Sequence, residues 1–117
     1  MKEVTIWHNP RCSKSREALA IVKENNYEHN IVKYLDTAPD ENQIKTILKM
    51  LGLTPRELMR IKEDIYKELN LKEESNDDAL ISAMAKNPKL IERPIIIKDG
   101  RAIIGRPTQR VAEFLKN

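Results

Sequence analysis

The chain has 117 residues, of which 40% are hydrophobic and 33% charged, and its 21 Lys and Arg against 18 Asp and Glu leave a net charge of only +3. Such a balance fits one folded domain and excludes both a disordered chain and a binder built on an unmatched basic stripe, so no direct contact with nucleic acid is expected. One cysteine excludes a disulfide-stapled secreted fold.

In chain order, Val4-Thr5-Ile6-Trp7 reads as a short strand stopped by Asn9-Pro10. Ser15, Ala18, Leu19 and Val22 then share one face of a helix that runs out at Asn25-Asn26. Ile31 to Leu35 reads as a second strand, which completes a βαβ unit with parallel strands. The middle is helical. Ile44, Ile47, Leu48 and Leu51 form an apolar face closed by Gly52, and Thr54-Pro55-Arg56-Glu57 starts another helix with a capping box. Ser75-Asn76-Asp77-Asp78 opens a further helix carrying Leu80, Ile81 and Met84, closed before Pro88. Ile95 to Lys98 and Arg101 to Ile104 flank Asp99-Gly100, a two-residue hairpin signal. Thr108 caps a last helix whose Val111, Ala112, Phe114 and Leu115 face inward.

The order βαβ, helical insert, ββα predicts an α/β fold with a small mixed four-stranded sheet, the shape of a thioredoxin-like domain. We expect one domain over 1–117 with a helical insert at about 38–90. No apolar run approaches the ~18 residues of a membrane span, and the first residues lack the apolar core of a signal peptide. A cytoplasmic protein without a membrane partner is the expectation.

Cys12 lies where the first strand gives way to the first helix, in His8-Asn9-Pro10-Arg11-Cys12-Ser13-Lys14-Ser15-Arg16. Unpaired N–H groups and the dipole of a helix N-terminus favour a thiolate, and no carboxylate occurs from Val4 through Arg16. Arg11, Lys14 and Arg16 are the cations expected to assist, and Cys12 is the candidate nucleophile. Ser15 stands where a Cys-x-x-Cys motif would carry its second thiol, so an external thiol must resolve whatever Cys12 forms. Its hydroxyl either donates to the thiolate or packs on the inner face of the first turn. His8, four residues before Cys12, either tunes the thiolate's surroundings or ends the strand structurally. Two His and one Cys without ligand spacing point to no metal site.

Glu92-Arg93-Pro94 precedes one hairpin strand and Gly105-Arg106-Pro107 follows the other, which makes Arg93 and Arg106 neighbours. With Arg60 of the insert they would form an oxyanion clamp, since guanidinium forks match tetrahedral oxyanions. Pro94 is a candidate cis-proline.

These three motifs, His8-Asn9-Pro10-x-Cys12-Ser13-x-Ser15-Arg16, Glu92-Arg93-Pro94 and Gly105-Arg106-Pro107, together resemble the glutaredoxin-dependent arsenate reductase family. The resemblance implies a thioredoxin-like fold and an oxidoreductase in which Cys12 attacks arsenate, or a similar oxyanion, and forms a covalent adduct. It gives Arg60, Arg93 and Arg106 the role of oxyanion ligands and His8 an effect on the ionisation of Cys12. Glutathione would serve as co-substrate and glutaredoxin as protein partner, with no bound cofactor. Two alternatives stay open on the residues alone. One is an Spx-type non-enzymatic regulator that binds RNA polymerase, whose usual Cys-x-x-Cys switch Ser15 departs from; the other is a general glutathione-linked thiol reductase.

Overall fold

In the computed structural model, which describes residues 3–116, alternation sets the first element: Val4 and Ile6 are fully buried on β1 (Glu3–Trp7). α1 (Ser13–Glu24) follows a short loop and buries Ser15, Ala18 and Val22. It stops where the Asn25 side chain bonds the Ile21 carbonyl at 2.7 Å and Asn26 turns left-handed at φ 59.

β2 (Glu28–Val32) pairs parallel to β1, with Glu3 opposite Glu28 and Trp7 opposite Val32. The strand expected over Ile31 to Leu35 thus begins earlier and ends at Val32. The cause is the turn at its end, where Asp36 N–H and Thr37 N–H both donate to the Lys33 carbonyl at 3.0 Å. Tyr34 leaves the strand and stacks on Trp7 with ring centroids 6.4 Å apart. Polar Glu28, His29 and Asn30 suit an edge strand, and Ile31 is exposed there.

The sheet order is β2-β1-β3-β4, with β3 (Ile95–Lys98) antiparallel to β1 and β4 (Arg101–Ile104) antiparallel to β3. Asp99 and Gly100 join the last two strands with φ of 53 and 74, the left-handed pair that a two-residue hairpin requires. Together these strands form the mixed four-stranded sheet expected of the thioredoxin-like fold. α6 (Gln109–Lys116) packs with α1 on one face, where Val4, Ile6, Ala18, Val22, Ile96, Val111, Phe114 and Leu115 form the core. Thr108 precedes α6 and its hydroxyl donates to Glu17 at 3.0 Å. Gly105 lies against this core, and a Cβ there would meet Val111 Cγ2 at 2.9 Å and Pro94 Cγ at 3.1 Å.

The chain divides into two compact units, one running up to Thr37 and from Arg93 onward, the other Ala38–Glu92. In the second, α2 (Glu41–Leu51) starts on a capping box of Asp40 and Gln43 and ends at Gly52, φ 68. α3 (Pro55–Leu58) has the expected Thr54–Glu57 capping box yet lasts one turn. Met59 turns extended and bridges Ile91, while Arg60 N–H donates to the Leu90 carbonyl at 2.7 Å and Glu92 N–H to the Leu58 carbonyl at 2.8 Å. The start signal acts as expected, and this long-range pairing sets where the helix ends. α4 (Asp64–Glu68), a 3₁₀ turn at Leu71–Glu73, α5 (Asp77–Lys86) and a second 3₁₀ turn at Pro88–Leu90 complete the unit. Asn76 caps α5 through its side-chain oxygen, which accepts from Asp78 N–H and Ala79 N–H.

Candidate functional site

The loop after β1 closes on itself. Cys12 N–H donates to the Asn9 carbonyl at 3.0 Å, Arg11 N–H to Asn9 Oδ1 at 3.1 Å, and Asn9 N–H to Ser15 Oγ at 3.4 Å. Cys12 becomes the N-cap residue of α1, extended at φ −95 and ψ 123. A sulphur at this position faces N–H groups that the helix leaves unpaired.

Two guanidiniums reach that sulphur from the strand ends. Arg106 Nη2 stands 3.5 Å from Cys12 Sγ, and its Nε donates to the Arg93 carbonyl at 2.8 Å. The Arg93 guanidinium lies near enough to lower the pKa of the thiol. Hairpin register accounts for the pairing, because Ile95 opposite Ile104 brings the residues flanking those strands together. Gly105 N–H donates to the Pro94 carbonyl at 2.8 Å and extends the register by one step. The Arg93–Pro94 and Arg106–Pro107 peptides are both cis.

The Cys12 thiol is 9% exposed, and this burial is the largest influence on it, pushing its pKa up. The Ser15 N–H, the hydrogen bond and charge of Arg93, and the Lys14 N–H together outweigh burial and bring the pKa down from 9.0 to about 7. The sequence neighbours expected to do this work act otherwise. Lys14 contributes through its backbone, its ammonium pairing with Glu17 at 3.6 Å, and Arg16 turns back to the Pro10 carbonyl at 2.9 Å. Long cationic side chains on a first helical turn reach solvent, whereas Arg93 at the strand end is half-buried and acts through less water. Position along the chain was therefore a poor guide to which cation matters; hairpin geometry was a good one.

Arg93 holds back two donors. Its Nε and Nη1 are buried and lack a hydrogen-bond partner among the described residues. Donors left this way beside a thiolate are a ready cradle for an anion, since each awaits an acceptor. Ser15 is fully buried, its hydroxyl accepting from Asn9 N–H while its own N–H serves the sulphur. His8 is also buried, its Nδ1 has no partner among the described residues, and its pKa is lowered by burial and then by Lys33, Arg16 and Lys23. It is not among the groups that shift Cys12. Arg60 belongs to the helical unit, where its guanidinium pairs with Glu63. That partner went unforeseen, although an i,i+3 spacing on the sequence could have shown it. Among the described residues no three His, Cys, Asp or Glu are grouped to hold a metal ion, and no helix is long and apolar enough to cross a membrane.

Comparison with known proteins points the same way as these motifs. The chain is 54% identical over 116 residues to the uncharacterized Escherichia coli protein YfgD, covering 97% of this chain and 98% of that protein. It is 48% identical over 117 residues to a Neisseria meningitidis arsenate reductase, covering 98% of this chain and all (100%) of that one. The solved arsenate reductase from Vibrio cholerae superposes with a TM-score of 0.92 at 48% identity, covering 96% of this chain and 97% of that one. Residues 7–114 match the ArsC family, and the chain belongs to it.

Proposed function

We propose that the protein is an arsenate reductase that works through a covalent adduct on Cys12, with glutathione and glutaredoxin as the external reductant. The observation that carries this reading is the meeting of Cys12 Sγ, Arg106 Nη2 at 3.5 Å and the unpartnered Arg93 donors at the start of α1. The relatives named arsenate reductase add the substrate.

With a pKa of about 7, roughly half of Cys12 is thiolate at neutral pH. The sulphur attacks arsenic, an S–As bond forms, and one As–O bond breaks with its oxygen leaving as water; arsenic stays As(V). Arg93 and Arg106 hold the remaining oxygens and balance the charge that builds on them. Glutathione sulphur then attacks Cys12 sulphur. An S–S bond forms, the S–As pair of electrons passes to arsenic, and arsenite departs as As(III). Glutaredoxin exchanges the Cys12–glutathione disulfide back to thiolate. Ser15 in place of a second cysteine makes this outside help obligatory. The oxyanion role that the family resemblance gives Arg60 is proposed with it, and there its guanidinium would have to share or leave the Glu63 carboxylate.

The test is arsenate reduction with glutathione and glutaredoxin, run beside Cys12→Ser. Turnover that vanishes in the variant supports the reading; no turnover by the natural protein overturns it.

A further inference from the structure

β1 and β2 run parallel and side by side, and His8 N–H donates to the Val32 carbonyl at 2.8 Å, one step beyond their last pair. The loops leaving both strands therefore start together at the carboxyl ends, the edge where parallel sheets open crevices for ligands. A cavity of about 320 Å³ lies there, lined by His8, Asn9, Pro10, Arg11, Lys33 and Asp36 among others. This is the small end of the range for ligand pockets. Its position is separate from the arginine cradle, yet it shares the Asn9–Cys12 loop whose last residue is the nucleophile.

The charges on this cavity are unmatched. Among the described residues the Arg11 guanidinium, the Lys33 ammonium and the Asp36 carboxylate have no ion-pair or side-chain hydrogen-bond partner. One wall is His8, 5% exposed, with Nδ1 buried and unpartnered. Burial and the nearby Lys33 lower the pKa of that imidazole and so disfavour its charged form. Two cations, one anion and a polar wall complement a molecule with two carboxylates and one ammonium. Arsenate has no ammonium and finds its donors at Arg93 and Arg106 instead.

We propose that this cavity binds the thiol that relieves Cys12, an anionic peptide thiol of the glutathione class, with Arg11 and Lys33 taking its carboxylates and Asp36 its ammonium. The proposal rests on the external-thiol step of the proposed function and names where that thiol is held. It also predicts selectivity, since a thiol or disulfide without carboxylates gains nothing from the cavity.

The experiment measures mixed-disulfide formation at Cys12 by intact-mass spectrometry, with oxidised glutathione and with the neutral bis(2-hydroxyethyl) disulfide as probes. In each case Cys12 thiolate attacks the disulfide, one S–S bond replaces another, and a free thiolate leaves. Lys33→Glu should slow the glutathione probe about three- to tenfold, Lys33→Gln by less, and neither should alter the neutral probe. Iodoacetamide alkylation at the same rate in all variants shows that Cys12 itself is unchanged. High salt should reduce the preference of the natural protein for the anionic probe. Equal slowing of both probes, or no slowing of either, overturns the proposal. Because no arsenate is present, the arsenate reading can fail in its own assay while this selectivity holds, and the reverse outcome is equally visible.

Discussion

In the helical unit, Arg56 donates to Tyr66 Oη at 2.5 Å, to the Leu71 carbonyl at 3.1 Å and to the Glu74 carbonyl, and Arg60 is paired with Glu63. In the sheet unit, Arg93 keeps Nε and Nη1 buried without partners, and Arg106 directs one nitrogen at a backbone carbonyl and another at a sulphur. Net charge separates the units as well. The segments up to Thr37 and from Arg93 carry twelve Lys and Arg against seven Asp and Glu, whereas Ala38–Glu92 carries nine against eleven. An arginine such as Arg56, whose two terminal nitrogens are held by protein oxygens, braces its surroundings. One with buried donors to spare carries a standing desolvation cost that an incoming acceptor relieves. Arginine count alone would not have separated these roles; buried donors left without a partner mark Arg93 out.

The largest effect that would break this comparison is at the nucleophile. Cys12→Ser should lower arsenate turnover by more than about a thousandfold, because the oxygen is a far weaker attacking group at neutral pH. The melting temperature should scarcely move, as the swap is nearly isosteric. Residual turnover near the natural rate would remove Cys12, and with it the meaning of the arginines around it.

Next comes a reciprocal pair. Arg93→Met should cost about a hundredfold in turnover through lost charge-assisted contacts, while stability holds or rises because two unsatisfied buried donors disappear. Arg56→Met should do the opposite. It strands Tyr66 Oη and two carbonyls in a half-buried setting, for a loss of about 2–3 kcal/mol in unfolding free energy. Denaturant titration and steady-state rates on both variants measure the two quantities. Equal destabilisation by the two changes would show that Arg93 is simply another brace.

Much of this frame was legible in the sequence for local reasons. Asp99-Gly100, Thr54-Pro55-Arg56-Glu57 and Gly52 each encode a backbone conformation within a few residues, and all three formed. The adjacency of Arg93 and Arg106 followed from the hairpin, since a two-residue turn fixes register. What escaped was non-local. β2 lies at the sheet edge, where apolar patterning is weakly enforced, so Ile31 to Leu35 misplaced the strand. α3 ended after one turn because Met59 pairs with Ile91, thirty-two residues away in sequence and invisible to helix periodicity. The lowering of the Cys12 pKa was foreseeable from its helix N-terminus, yet its charged source was Arg93, some eighty positions on, rather than Arg11 or Arg16 beside it.

The smallest effect is the one that reads this electrostatics directly. Alkylation of Cys12 against pH should show a midpoint near 7, and Arg93→Met should raise it because that guanidinium is the first side chain among the lowering influences. The same shift bears on stability. Cys12 titrates near 9.0 when unperturbed and at about 7 in the folded protein, so between those values the unfolded chain binds more protons than the native one. Stability should therefore gain a contribution as pH rises from about 7 to about 9 and lose it as pH falls back through 7. Cys12→Ser should lack this segment of the stability profile, and Arg93→Met should narrow it from the low-pH side. A profile unchanged by Cys12→Ser would mean that the folded thiol titrates like the unfolded one, and the contrast between idle and employed arginines would lose its electrostatic basis.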